Sequence, residues 1–296
     1  MKTVWIKTLH EQLNTVPAAC ALGNFDGVHR AHAALINACK DTGHLPAVFT
    51  FEAREKDAIH TESEKSARFE ELGIKLLTVA PFALFRELSA EDFVLYLKEK
   101  LMVKAVVCGF NFRFGKGAAG NAETLKTLAA RHGIDCYVID EITEGGKTIS
   151  SSEIRTLLKE GKVTAANTLL GAPYALSGEV LRGYGIGKTL TFPTLNLSPD
   201  KPCLLPNGVY ITEALIENIP YPAITNIGKN PTFARNSVSY ETHLLAATGD
   251  FYGKTVTVRF LAFVREEIAF KTPEALKRQV LSDIETARRY HNGGVE

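Results

Sequence analysis

The sequence predicts two domains: an α/β unit built on a parallel sheet, then a smaller antiparallel β unit that ends in a helix. Three observations predict this. The chain has 296 residues, and at roughly 150 residues per domain that length suggests about two cores. In its first half, short apolar runs alternate with amphipathic stretches, the pattern of right-handed βαβ units. Beyond Gly171 the helical stretches give way to residues that alternate singly between apolar and polar, the period of half-buried strands.

In the first half the apolar runs at 18–23, 46–51, 76–80, 105–109 and 135–139 read as strands. Between them, 64–73, 89–101 and 122–132 read as helices. In the second of these, Ser89 can cap, Glu91 and Asp92 suit the first turn, and Phe93, Leu97 and Leu101 share a face. Two short helical pieces, 152–159 and 163–170, lead to a boundary near Gly171, giving domains 1–170 and 171–296. In the second domain 208–216, 239–245 and 255–264 read as strands of a small barrel or sandwich. The chain closes with a helix that Thr272 caps and Pro273 opens, with Leu276, Val280, Ile284 and Ala287 as its buried stripe.

Composition narrows the function. With 45% hydrophobic and 23% charged residues the chain is globular. Thirty-four Lys and Arg against 33 Asp and Glu leave a formal charge of +1, which argues against nucleic acid or an anionic membrane as partner. Small anionic ligands stay open, because a few local groups can hold a phosphate. The five cysteines are scattered without a C-x-x-C pair, so free thiols in a reducing cytoplasm are expected. No leader pattern and no run of about 18 apolar residues is present. A soluble cytoplasmic protein is the expectation, and the composition sets no oligomeric state.

The first strand runs into Gly23-Asn24-Phe25-Asp26-Gly27-Val28-His29-Arg30-Ala31-His32. A strand, a glycine turn and a helix start make a phosphate site, since free amides and the helix dipole point at the ligand. His29 and His32 share a face of the first turn and can donate to phosphate oxygens. A metal would want a third ligand at a recognisable spacing, and none stands there. The G-x-G-x-x-G of a dinucleotide oxidoreductase is also missing after this strand.

The segment Gly-Asn-Phe-Asp-Gly-Val-His-x-x-His resembles the signature of the nucleotidylyltransferase superfamily. More narrowly, it resembles the opening of bacterial bifunctional riboflavin kinase/FAD synthetases. Two further segments agree: Val106 to Gly115, a strand-end loop containing Asn111, and Ile149-Ser150-Ser151-Ser152-Glu153-Ile154-Arg155, similar to a Ser-Ser-Thr-x-x-Arg motif. The serines offer hydroxyls and amides at a helix start, with Arg155 one turn in to clamp a triphosphate.

In the second half, Gly187-Lys188-Thr189 mimics the end of a Walker A loop, but Arg182 stands where its first glycine would be. In Phe192-Pro193-Thr194-Leu195-Asn196, Thr194 and Asn196 have one pleat parity, so a hydroxyl and an amide oxygen can face one Mg²⁺ and ATP phosphates. Glu241 and His243 likewise share a strand face, and a fixed Glu is well placed to take a proton from an alcohol. The order Gly178 to Lys188, Phe192 to Asn196, Asn207-Gly208-Val209-Tyr210, Asn226 to Phe233, Glu241-Thr242-His243, Asp250 to Gly253 and Arg265-Glu266-Glu267 resembles the riboflavin kinase module throughout.

The resemblance implies a Rossmann-like adenylyltransferase domain and a six-stranded barrel kinase domain with a terminal helix. It implies phosphorylation of riboflavin by MgATP, with Glu241 as base, Thr194 and Asn196 holding Mg²⁺, and the 178–188 loop, with Gly183, Gly187 and Lys188, covering the nucleotide. Asn207, Tyr210 and Arg265 would hold flavin. It also implies adenylylation of FMN to FAD, with His29, His32 and Arg155 on the polyphosphate and Gly23, Asn24, Phe25, Asp26, Asn111, Ser151 and Ser152 around the nucleotide. Ala31 stands where the family has Gly, 50–56 lacks the family's usual Pro and His, and the altered 52–65 region is shorter than usual. That leaves a kinase with a degenerate first domain as the alternative. A flavin-sensing protein without catalysis is the rival of another class, and the balanced charge and Glu241 argue against it.

Overall fold

A computed structural model describes residues 1–52, 57–181, 194–229, 238–245 and 249–293. The chain divides into two compact units, Met1–Glu153 and Ile154–Glu296.

The first unit is a six-stranded parallel sheet. Its strands run in the order Lys2–Trp5, Leu76–Ala80, Leu45–Phe51, Ala18–Leu22, Val103–Gly109, Asp135–Ile139. Strands covered on both faces become continuous apolar runs, and every residue of Ala18–Leu22 and Leu76–Ala80 is buried. On one face Phe93 and Leu97 of the helix Ala90–Leu101, with Leu125 of Ala122–Arg131, pack on Cys20, Phe49 and Val106. On the other, Leu35 and Ile36 of Arg30–Asp41 and Phe69 of Glu62–Glu71 pack on Ala19, Val48 and Val107.

The helix starts follow the local chemistry. Ser89 Oγ accepts from the Asp92 N–H at 3.1 Å, and Asn121 Oδ1 from Thr124 N–H at 2.9 Å. The helix expected from residue 64 begins at Glu62, because Thr61 and Glu64 form a reciprocal capping box. The edge strand Lys2–Trp5 was not expected, since four residues carry too little periodicity to read. Strand order reverses at Ala18–Leu22, which pairs with Leu45–Phe51 on one side and Val103–Gly109 on the other. Such a switch point opens a crevice at the carboxyl ends of the strands.

The second unit is a closed antiparallel barrel of Tyr174–Leu181, Thr194–Pro199, Val238–Leu244, Ile219–Lys229, Gly208–Ile216 and Thr255–Arg265, the last pairing back to the first. Closure removes the sheet edges. Inside, Thr212, Thr225 and Thr242 are buried and joined hydroxyl to hydroxyl at 2.8 and 2.9 Å. Ile219–Lys229 escaped the sequence reading because Pro220 and Pro222 interrupt it. Both prolines lie where the strand pairs with Gly208–Ile216, before its pairing with Val238–Leu244 begins at Ala223. Gly178, expected to open a loop, sits within a strand instead. Any side chain there would collide with the Ser198 carbonyl oxygen.

The helix Val163–Leu170 ends at Gly171, at φ 72°. Asn167 ties it to the barrel, donating to Phe260 O at 2.8 Å and accepting from Tyr174 N–H at 2.7 Å. The terminal helix Pro273–His291 is capped by Thr272 as expected. Ile284 and Ala287 are buried against Val209, Ile211 and Ile224, with Val280 partly buried. Leu276 corrects the expected stripe: it is 41% exposed, because this strand surface receives the later turns of the helix and not its first.

Candidate active sites

In the first unit the turn after Ala18–Leu22 folds tightly, with positive φ at Phe25, Gly27 and Val28. It delivers His29 as the N-cap of Arg30–Asp41, where Nδ1 accepts from the His32 N–H at 3.4 Å. A neutral imidazole that accepts at Nδ1 carries its proton on Nε2, which is then the ring's donor. The His29 and His32 rings stack at 3.6 Å with 15° between planes. Burial lowers His29 to about 4. Burial also holds His32 well below the usual range, helped by His29, Lys65 and His60. Both rings are neutral at physiological pH, so they serve as hydrogen-bond donors and not as cations.

Gly23, Asn24, His29, His32, Asn111, Ser151 and Ser152 line one cavity of about 1120 Å³ at the switch point, with Ala31 in its wall. The cap of the helix Ser151–Lys159 comes from Ser150, whose Oγ accepts from the Glu153 N–H at 3.2 Å. Arg155 follows one turn along this helix and is half-buried. Two of the expected nucleotide residues have partners within the chain. Phe25 is fully buried, its ring 4.9 Å from His32 and edge-on to Phe69 at 5.5 Å, so it supports the histidine from below. Asp26 braces the turn: its carboxylate accepts from Ile59 N–H at 2.9 Å and its carbonyl from Ser151 Oγ at 2.8 Å.

Sequence reasoning missed the opposite wall, where Phe49, Phe51, Phe82, Phe85, Phe93, Phe112 and Phe114 line the same cavity. Phe51 meets Phe82 edge-on at 5.3 Å, and Phe112 stacks on Phe114 at 5.6 Å. These rings come from segments far apart in the chain, so no local motif announces them. A polar floor with helix starts opposite an aromatic wall suits a ligand with phosphates at one end and a planar ring at the other.

In the second unit, strand register builds the other site. Asn196 lies directly opposite Glu241, and Thr194 opposite His243. Thr225 and Thr242 bond to each other inside the barrel, so their neighbours Asn226 and Glu241 face outward together, also directly opposite. Glu241 is thus flanked by two amide side chains. Asn226 was not singled out from the sequence; its parity relative to Thr225 was the available signal. Burial raises the Glu241 carboxyl above its usual range, making it a stronger base. His243 is lowered to about 4 by burial and by Arg288.

The expected flavin residues also have partners within the chain. Tyr210 is fully buried, packs on Phe260 and Phe263, and donates to Pro206 O at 2.7 Å; it is a core residue. Arg265 is committed to the buried Asp283 on the terminal helix, through Nη2 at 2.7 Å and Nε at 3.1 Å. Asn207 donates to Glu267 at 2.9 Å. Gly183, Gly187 and Lys188 lie outside the described residues.

Comparison with known proteins matches the two parts of the chain to different family models. A family model for FAD synthetase matches residues 11–153, and one for riboflavin kinase matches 170–291. A bifunctional riboflavin kinase/FMN adenylyltransferase of Escherichia coli (strain K12) is 33% identical over 303 residues, covering 96% of this chain and 97% of its own length. The protein of that name from Bacillus subtilis (strain 168) is also 33% identical, covering 98% of each. A crystal structure described as a macrolide-efflux protein from Streptococcus pneumoniae superposes with a TM-score of 0.89 at 28% identity, over 97% of this chain and 98% of that one. Among the described residues, no helix here is long and apolar enough to cross a membrane.

Proposed function

This chain belongs to the bifunctional riboflavin kinase/FMN adenylyltransferase family, and on that premise we propose how its residues divide the two reactions. It is an enzyme of flavin biosynthesis that phosphorylates riboflavin to FMN and adenylylates FMN to FAD with release of pyrophosphate. The kinase-only alternative is not favoured, because both modules match and the relatives are bifunctional.

The observation that carries the kinase assignment is the row Asn196–Glu241–Asn226. Glu241, made more basic by burial, takes the proton from the ribityl 5′-hydroxyl as that oxygen attacks the γ-phosphorus of ATP. Thr194 and Asn196 offer a hydroxyl and an amide oxygen on the same outward face. Hard neutral oxygens of this kind fit Mg²⁺. When bound, the ion would neutralise charge on the ATP phosphates. Gly183, Gly187 and Lys188 are assigned to cover that nucleotide, and Asn207 to border the flavin.

In the adenylyltransferase unit, ATP phosphates rest on the turn amides and on the His29 and His32 N–H groups, and Arg155 is assigned to the triphosphate. Asn24, Asn111 and Ser152 orient the nucleotide, while the phenylalanine wall receives the flavin ring. Neither reaction asks for a protein nucleophile; positioning and charge stabilisation suffice. We assign residues 1–170 to adenylyl transfer and 171–296 to the kinase. Balanced charge and five free cysteines support small-molecule partners, no nucleic acid, and a cytoplasmic location.

The test is an end-point assay with riboflavin, ATP and Mg²⁺, the flavins being separated by chromatography. FMN followed by FAD is expected. FMN that accumulates without FAD would restore the kinase-only alternative, and unchanged riboflavin would overturn the kinase assignment.

A further inference from the structure

The helix Glu62–Glu71 buries two residues one turn apart, Lys65 and Phe69. Lys65 is 1% exposed, and a lysine is almost never so buried unless its charge has a use or a partner. Its ammonium meets Glu62 at 3.3 Å, and Glu62 is itself partly open to solvent. On the same helix face Phe69 touches Phe25, and Phe25 touches His32. Lys65 therefore belongs to the layer directly beneath the histidine pair.

That layer has a task the histidines cannot perform. His29 and His32 are stacked neutral rings, whereas ATP and FMN bring several negative charges. The His32 Nδ1 is buried without a hydrogen-bond partner. On the cavity rim, Arg86 and Lys116 are exposed and paired with Glu87. Exposed charges are screened by water and salt, whereas a buried one acts at lower dielectric. An apolar side chain of equal length would fill the same buried space without desolvating an ammonium.

We propose that Lys65 is a positioning residue for adenylyl transfer, a buried ammonium that supplies fixed positive charge to the phosphate end of the cavity from behind His32. The proposal rests on assigning this cavity to FAD formation. The groups facing His32 are His29 on its own turn, His60 from the preceding loop and Lys65 from the helix, which is paired with Glu62. Protonating His32 beside His29, which takes its own proton at about 4, would set two cations in stacked contact and disrupt the pair, so activity falls on the acid side. Without Lys65 that fall begins at higher pH.

The experiment measures kcat/KM for FAD formation from FMN and ATP across pH 3–8 in the full chain, for wild type, Lys65→Met and Lys65→Arg. Lys65→Met is expected to lose roughly tenfold or more and to move the acid midpoint upward. Lys65→Arg is expected to keep both close to wild type, and riboflavin phosphorylation is unchanged in all three. Because acid can also unfold a weakened variant, each rate is referred to the folded fraction measured by circular dichroism at the same pH. Reduced amplitude at an unmoved midpoint therefore marks a structural lysine and overturns the proposal, as does Lys65→Arg failing like Lys65→Met. If Lys65→Met is inactive throughout, an active Lys65→Arg supports the proposal and an inactive one overturns it. Wild-type protein that makes no FAD would instead refute the assignment of the cavity.

Discussion

Replacing Glu241 with Gln separates the two reactions within one chain. The side chain keeps its size, and burial is the cause of its raised pKa, so removing the charge takes away a buried anion without opening a cavity. A carboxyl whose folded pKa lies above its unfolded value adds stability below the unfolded pKa, about 4.3. That stability is lost as pH rises through the folded value. Glu241→Gln should therefore melt no lower than wild type at pH 7 to 8, and its relative gain should vanish as pH falls below about 4. Catalytically the variant lacks the base for the ribityl hydroxyl. General-base catalysis contributes about 10²- to 10⁴-fold, which is roughly 2.7–5.4 kcal/mol of barrier at about 1.36 kcal/mol per decade. The assay is FMN formation from riboflavin and ATP, with FAD formation from supplied FMN as the internal control. A kinase rate within about threefold of wild type would refute the role of Glu241. So would parallel loss of both activities, because the control reaction does not use this residue.

The histidine pair predicts an unusual pH profile: FAD formation should hold as pH falls from 7 to about 5.5 and decline toward the depressed His29 value of about 4. A decline centred near the ordinary histidine value, about 6.5, would contradict the buried neutral stack. The same depression makes native stability fall with pH below that ordinary value, as the unfolded chain binds protons that the folded pair refuses. Thr225→Val removes the middle hydroxyl of the barrel ladder and strands Thr212 and Thr242. Thermal melting should report a loss of about 1–3 kcal/mol, whereas an unchanged melt would mean the ladder adds nothing. Asp283→Ala leaves the Arg265 guanidinium without its carboxylate and should cost about 3–5 kcal/mol. Urea unfolding measures this, and a loss below about 1 kcal/mol would show the clamp to be dispensable.

The periodic elements were legible because burial leaves its period in the chain. The continuous apolar runs of the central strands, the Ser89 cap and the Thr272–Pro273 helix start all stand where local chemistry placed them. Reading failed where one segment's role depended on a distant one. Lys2–Trp5 is a strand through its pairing with Leu76–Ala80, and Pro220 and Pro222 are tolerated through the position they take in the ladder. Phe25, Tyr210 and Arg265 carry chemically suitable groups, but packing and one buried carboxylate had already claimed them.

The sequence by itself determined the two-domain plan, the turn from strand to helix that carries His29 and His32, and the matching parity of Thr194 with Asn196 and of Glu241 with His243. These depend on neighbours in the chain, where covalent geometry sets spacing and direction. Only the tertiary structure decided that Asn226 stands beside Glu241, that the two histidines are neutral, that scattered phenylalanines line one cavity, and that Lys65 is buried. Register, desolvation and packing are relations between segments brought together by folding, and a side chain's charge and task are set by those surroundings.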